Sequence, residues 1–448
     1  MKKVFTRKNR LNEVRILAFG FAIIILLGGV ILSLPISSKN GTYTSLVDSI
    51  FTATSAVCVT GLVTVDTGTH WNTFGHCIIM LLIEIGGLGF MSFTTFIAVI
   101  LGKKITLRDR LIMQEAMNAF DIQGIVKMLI YILALTFSVQ VVGALLLSFV
   151  FIPEFGLGTG IFYSIFHSVS AFCNAGFDLF GNFTSLTGYY NNYYIILVIS
   201  ILIVIGGLGF SVLSEILNYK KIRKFSVHSK IVLYVTAGLI IGGAVLIFLV
   251  EYRNDATLGS LNFGEKIFNS LFSSITPRTA GFNTISTGDM TMSGKLITII
   301  LMFIGGSPGS TAGGLKTTTL GIIILTMVCV LKGRDDTEAF GRRFSKETVY
   351  KAFTLFAIGM VIVLGVTMIL SIVEPEQQFI DLLYEASSAF GTAGITTGVT
   401  QEIGTLSKVV IMFTMYCGRV GPITVILALM RKNKKTGIRY PEGKILIG

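Results

Sequence analysis

DSIFTATSAVCVTGL, residues 48–62, carries a glycine one position before its end, and the chain repeats its pattern three more times. The further copies are YSIFHSVSAFCNAGF (163–177), NSLFSSITPRTAGF (269–282) and LLYEASSAFGTAGI (382–395). Each is a stretch rich in Ser, Thr, Ala and Phe. The glycines, Gly61, Gly176, Gly281 and Gly394, are 115, 105 and 113 residues apart. An aromatic residue stands ten positions before the glycine in three copies (Phe51, Phe166, Tyr384) and nine before it in the third (Phe272). This period divides the chain into four units: 1–110, 111–222, 223–340 and 341–448, the last with a cytoplasmic tail.

Apolar blocks flank every copy: 16–34, 75–101, 128–151, 194–213, 231–250, 296–304, 320–331, 352–373 and 409–430. Most are long enough to cross a bilayer as helix, which takes about 20 residues. Composition agrees: 52% of residues are hydrophobic and 13% charged, where a soluble chain carries about 25%. Backbone amides find no water in lipid, so the spans are helices or closed barrels. Unbroken apolar runs, rather than alternation, favour helices. Each unit therefore reads as a long helix, a short dip of about 12 residues, a glycine corner, a polar loop and a second long helix. The expected fold is an all-α polytopic membrane protein: four helix–pore loop–helix units around one central pore, with about eight spanning helices.

The formal charge of +12 lies in a pattern that excludes a nucleic-acid surface. Of the 36 Lys and Arg, 28 fall in five clusters: 2–15, 103–127, 220–230, 332–351 and 431–444. The intervening loops hold six: Lys39, Arg253, Lys266, Arg278, Lys295 and Lys408. By the positive-inside rule the rich side is cytoplasmic, which puts both termini there. Nucleic acid needs a contiguous folded basic patch, which short loops do not offer. The first apolar run ends in Leu34-Pro35 without a small-residue cleavage pattern, so it reads as a retained helix. Cys58, Cys77, Cys173, Cys329 and Cys417 lack metal or disulfide spacing,. Cys58 and Cys173 share an offset, but they read as small buried hydrophobes. His70, His76, His167 and His228 read as packing or loop residues.

The corners suit an alkali cation. A dehydrated monovalent ion needs several neutral oxygens, which rings of backbone carbonyls supply without a full charge. The residues before the glycines are small or hydroxylated: Thr60, Ala175, Ala280 and Ala393. Glycine permits backbone angles that aim carbonyls inward. Each short helix would turn its partly negative C-terminus toward the axis.

On these residues the chain resembles the Trk/Ktr/HKT superfamily of potassium transporters, and within it the bacterial Ktr membrane (ion-translocating) subunit. The resemblance rests on Val59-Thr60-Gly61-Leu62, Asn174-Ala175-Gly176-Phe177, Thr279-Ala280-Gly281-Phe282 and Thr392-Ala393-Gly394-Ile395. It rests also on Pro277-Arg278-Thr279, on GGSPGSTAGGLKT (305–317) and on GRVGP (418–422). It implies a non-enzymatic potassium uptake subunit whose filter is formed by the first three residues of each of the four corner motifs, twelve in all, with K+ held at their carbonyls. Glycine in all four corners goes with potassium selectivity in the superfamily, whereas serine in the first favours sodium in some relatives. The resemblance also implies a homodimer on a cytosolic, nucleotide-binding RCK-type ring, at the cell membrane, with no permanent cofactor and Na+ as a candidate activator. The alternative is a Na+-coupled K+ symporter, or a less selective monovalent cation transporter.

Segment 305–319 interrupts the second helix of the third unit. Gly305, Gly306, Gly309, Gly313, Gly314 and Pro308 cannot hold a helix. Its likeness to a phosphate-binding loop fails because Leu315 separates the last glycine from Lys316 and a membrane helix precedes it. Close helix packing through glycines spaced by four is one reading. A polar gate under the filter is the reading that the resemblance supports. Arg419, inside an apolar run, is either a structural ion pair or a fixed charge holding that gate. Burying it costs at least about 2.5–3.5 kcal/mol. Glu84 and Glu385 are expected to pair with Arg278, Lys316 or Arg419, and Arg278 to brace the filter from behind. GGLGF at 86–90 and 206–210 is expected to let helices approach closely.

Overall fold

The computed structural model describes residues 7–89, 110 and 125–429. Lys2, Lys3, Lys103, Lys104, Arg108 and the basic tail 431–448 lie outside the described residues. The fold is an all-α, multi-pass membrane protein. Its one described β element is a two-residue ladder, Glu338–Ala339 against Arg342–Arg343, between the third and fourth units.

Each unit opens with a long helix: Arg7–Ser33, Ile125–Phe155, Val227–Glu251 and Lys346–Val373. Each contains an apolar stretch long enough to span. Their exposed side chains are large and apolar, as with Phe19, Leu27, Phe149, Leu249 and Val361. Such a surface suits lipid rather than water.

The short helices follow: Leu46–Cys58, Leu157–Cys173, Phe263–Ile275 and Phe379–Gly391. Their corner-proximal halves are almost wholly buried, and Phe51, Phe166, Phe172, Phe272, Tyr384 and Phe390 are among the large core side chains. The repeated aromatic thus anchors each short helix in the protein interior.

Close approach between backbones sets the packing. Methyl groups placed on Gly86, Gly206 and Gly418 would collide with the carbonyl oxygens of Val57, Phe172 and Phe390. Those carbonyls belong to the last turns of the first, second and fourth short helices. The glycine pairs therefore let second helices touch short helices directly, as their composition suggests.

The second helices are not the long spans that their hydropathy suggests. The first runs Thr73–Leu88 and stops at Gly89. The second bends by 106° at Gly209, between Tyr193–Leu208 and Phe210–Leu217. The third splits into Met292–Phe303 and Thr317–Leu331. The fourth breaks at Gly421, between Thr405–Val420 and Pro422–Leu429. Gly89, Gly209 and Gly421 share one conformation, with φ of 83°, 91° and 92° and ψ of 135°, 139° and 131°. A side chain strains there, so glycine marks the break.

The second helix of each unit packs on the short helix of the next, and that of the fourth on the short helix of the first. The four units thereby close into a ring.

Candidate functional site

Three short helices end in the same way. Val59, Asn174 and Thr392 adopt left-handed backbone at φ of 56°, 59° and 51°. In the third unit the helix ends earlier, and Thr279 takes φ of 81°. The next residue returns its amide to the helix: Thr60 to Ser55 O at 2.8 Å, Ala175 to Ser170 O at 2.8 Å, Ala280 to Thr276 O at 2.9 Å, and Ala393 to Ser388 O at 2.8 Å. Then Gly61, Gly176, Gly281 and Gly394 take φ of 97°, 71°, 85° and 80°. All twelve residues are buried.

These corners meet one another in cyclic order. A methyl group on Gly61 would stand 2.5 Å from Ala175 O, on Gly176 2.7 Å from Ala280 O, and on Gly281 3.2 Å from Ala393 O. On Gly394 it would collide with Thr60 O. Each glycine thus lies against the preceding-position carbonyl of the next unit, and the fourth returns to the first. Four carbonyl-bearing corners surround one centre, and only a residue without Cβ fits at each contact.

Side chains brace this ring from behind. Ser55 Oγ accepts from Gly61 N at 3.0 Å, and Ser170 Oγ donates to Phe177 O at 2.7 Å. Asn174, with its amide nitrogen turned to Ile203 O and Ala171 O, accepts from Thr279 Oγ1 at 3.2 Å. That bond links the second and third corners.

The loop between Phe303 and Thr317 crosses beneath the ring. Its neck is closed by Leu315 N to Phe303 O (3.3 Å), Thr317 N to Gly306 O (3.1 Å) and contact of Ser307 Oγ with Thr317 Oγ1 (3.0 Å). On one side it grips the second unit. Ser307 N donates to Gly207 O at 3.0 Å, Phe210 N to Gly309 O at 2.9 Å, and Thr311 Oγ1 to Gly206 O at 3.1 Å and Phe172 O at 3.3 Å. On the other side it meets the fourth unit, where Gly313 packs on Thr392 and Gly314 on Gly391. The second and fourth units are opposite each other in the ring, so the loop lies along a diagonal.

The profile of the family described as "TrkH: Cation transport protein" matches residues 21–436. The chain belongs to the TrkH family. It is 47% identical over 446 residues to the "Potassium/sodium uptake protein NtpJ" of Enterococcus hirae, covering 98% of both chains. It is 39% identical to the "Ktr system potassium uptake protein B" of Bacillus subtilis, over 98% of this chain and 97% of that one. Among solved structures, the potassium transporter TrkH from Vibrio parahaemolyticus shares the fold at a TM-score of 0.74 and 17% identity, over 96% of this chain and 86% of that one. TrkH proteins transport cations and are not enzymes, so the residues below are weighed as parts of a passage.

Among the described residues of this TrkH-family chain Arg419 has no ion pair. Its guanidinium donates to Thr311 O in the loop and to Gly86 O and Gly87 O in the first unit. It thus ties the loop to the last turns of the helices Thr73–Leu88 and Thr405–Val420. Lys316 stays within the loop, donating to Ala312 O at 2.7 Å. The segment is not helical, so glycine-spaced helix packing does not describe it.

The expected pairing of Glu84 and Glu385 with these cations is incorrect. Glu84 accepts from Gln140 Nε2 at 2.9 Å and from the Cys173 thiol at 3.3 Å. Glu385 accepts from Thr396 Oγ1 at 2.5 Å, from Thr397 N at 3.0 Å and from Thr400 Oγ1. The donors to both carboxylates are neutral, and Lys316 and Arg419 are left to backbone carbonyls. Glu385 holds the chain just after the fourth corner, and His167 does the same in the second unit by accepting from Leu179 N at 3.3 Å. Arg278 is buried behind the third corner, with Nη2 toward Thr236 Oγ1 at 3.4 Å. Cys58 and Cys173 are free and buried at the ends of their helices.

Hydropathy gives no sign of Thr311, whose hydroxyl bonds the loop to the second unit. Its place in a glycine-rich loop at membrane depth, where non-helical backbone needs partners, is the available signal.

Proposed function

We propose that this chain is the membrane subunit of a potassium uptake system, passing K+ through a filter at the ring of four glycine corners. The closed cycle of glycine against carbonyl carries the reading. It supplies neutral oxygens from four directions around one centre, which is what a dehydrated alkali ion requires. Val59, Thr60, Gly61, Asn174, Ala175, Gly176, Thr279, Ala280, Gly281, Thr392, Ala393 and Gly394 form this filter, with Arg278 as support. Short-helix C-termini add partial negative charge at the ring. The choice of K+ is supported by the names of the relatives, which are potassium or potassium/sodium uptake proteins.

The diagonal loop is the gate. Gly305, Gly306, Gly309, Gly313 and Gly314 give it a flexible path, and Lys316 and Arg419 hold it through carbonyls. Passage follows when the loop withdraws. The units 1–110, 111–222, 223–340 and 341–448 each contribute one corner, with both termini on the cytoplasmic side of the cell membrane. The chain works as a homodimer on a cytosolic nucleotide-binding ring, with Na+ as an activator.

A coupled Na+/K+ symporter is the second reading, favoured by the relative named for both ions. Flux in liposomes separates the two: a filter gives 86Rb+ uptake driven by potential alone, and strict stoichiometric coupling to Na+ would exclude it. In Gly281→Ser the added side chain enters the ring beside Ala393 O, and the preference for K+ over Na+ falls. Unchanged selectivity in that variant would remove the filter assignment.

A further inference from the structure

We propose that filter and gate are coupled through Thr392 and Gly313, so that moving the loop loosens the fourth filter corner and the ion in the filter sets the position of the loop. This rests on reading the corners as the filter and the loop as the gate.

Thr392 is β-branched yet held at φ 51°, ψ 45°, a conformation that such residues seldom adopt,. It persists only where the surroundings hold it. Part of that hold is local, from Thr392 N to Ala389 O at 3.2 Å and Ala393 N to Ser388 O at 2.8 Å. The rest comes from the loop. A methyl group placed on Gly313 would collide with Thr392 Oγ1 and lie 2.8 Å from Cγ2 and 3.1 Å from Cβ. One on Gly314 would lie 3.1 Å from Gly391 O and 3.2 Å from Gly391 Cα. The loop backbone therefore seats the residue that opens the fourth corner. Thr392 Oγ1 is buried and has no hydrogen-bond partner, so packing alone fixes the side chain.

The two ends of the diagonal differ. At the second unit the loop is hydrogen-bonded, whereas at the fourth corner it makes only this van der Waals seat. Below it, Arg419 of the same unit holds Thr311 O. When the loop leaves, the fourth corner loses its floor; the second unit gives up its bonds to Ser307, Gly309 and Thr311, but its corner keeps the ties of Ser170 to Phe177 O and of Asn174 to Thr279. Coupling is reciprocal by necessity: an ion that tightens the fourth corner favours the seated loop.

The test uses the full-length protein in liposomes. Gly313→Ala, whose methyl would meet the Thr392 side chain, is expected to lower K+ over Na+ preference about fivefold, within the usual range of coupling between sites. Adding Thr392→Ala, which removes both Oγ1 and Cγ2, is expected to restore most of it. Additive or unrestored losses would overturn the coupling, as would unchanged selectivity in Gly313→Ala. Should that variant fail to fold, Ser310→Cys in a Cys77→Ser background reports loop position through its rate of thiol labelling. The rate is expected to differ between K+ and Na+, and to lose that difference in Thr392→Ala, which empties the seat. Labelling that is equal in the two ions would overturn the proposal. Loss of coupling with Gly281→Ser still altering selectivity would refute this inference alone. If Gly281→Ser is also silent, the filter reading fails with it.

Discussion

Arg419 illustrates what one side chain does when no carboxylate among the described residues pairs with it. It spreads its guanidinium over Thr311 O, Gly86 O and Gly87 O. A charge-assisted hydrogen bond contributes about 1.5–3 kcal/mol, so its loss shifts the loop equilibrium by about tenfold or more. Arg419→Ala is expected to raise 86Rb+ flux about tenfold, and Arg419→Lys less, because an ammonium cannot fork between separate carbonyls. Flux at or below wild type in Arg419→Ala would count against the gate. Asp178, two residues past Gly176, gives a pH signature instead. Burial raises its carboxyl from 3.8 to about 7; the Phe180 amide opposes this and Asp66 adds to it. A raised folded value means that the proton is held more tightly when folded. Stability from this group is complete below about 4 and is lost as pH rises through about 7. The thermal midpoint should fall between pH 5.5 and 8.5 in wild type and fall less in Asp178→Asn; parallel curves would refute it. At this scale the twelve corner residues were legible because they recur four times. The partners of Glu84 and Glu385 were not, since hydroxyl, amide and thiol donors leave no mark in a charge pattern.

At the scale of the element, the four short helices were legible and the second helices were misread. Hydropathy reports how apolar a segment is, not whether it is straight. GGLG was read for packing through its first glycine, and that reading holds. The glycine three positions later does a different job: Gly89 ends its helix, and Gly209 and Gly421 break theirs. Only the third break was visible, because thirteen residues of loop fill it. Gly209→Ala tests the distinction. Its methyl would stand 2.7 Å from Pro308 O, in backbone with φ of 91°. We expect a loss of about 1–3 kcal/mol, seen as a lower thermal midpoint. Gly238→Ala, in a long helix with nothing within 4 Å, should gain up to about 1 kcal/mol from propensity alone. Equal effects would mean that the bend is dispensable.

Across the whole molecule, the count of units was legible and their closure was not. Sequence spacing says that four similar pieces exist. Only coordinates place Thr60 of the first unit beside Gly394 of the last. The seams between units carry their own ties. Asp66 accepts from Phe183 N at 2.6 Å between the first and second units, and Asn269 donates to Tyr190 O at 2.9 Å between the second and third. Ion pairs join the others: Lys295 to Asp381 at 2.7 Å and Lys408 to Asp48 at 2.7 Å. Both lysines lie fourteen residues after a corner glycine and both aspartates thirteen before one. The pairs are mostly buried, so they exceed the 0–1 kcal/mol of exposed pairs and approach the cost of breaking buried ones. Lys408→Ala should therefore destabilise by about 1–3 kcal/mol and weaken the seam at Gly394 and Thr60. The swap Lys408→Asp with Asp48→Lys should recover more than half. Asp336→Ala, which breaks a pair to an arginine 80% exposed, should change little. If all three behave alike in thermal unfolding and in K+ over Na+ preference, the ring is closed by packing alone, and the ion pair at its last seam carries no share of it.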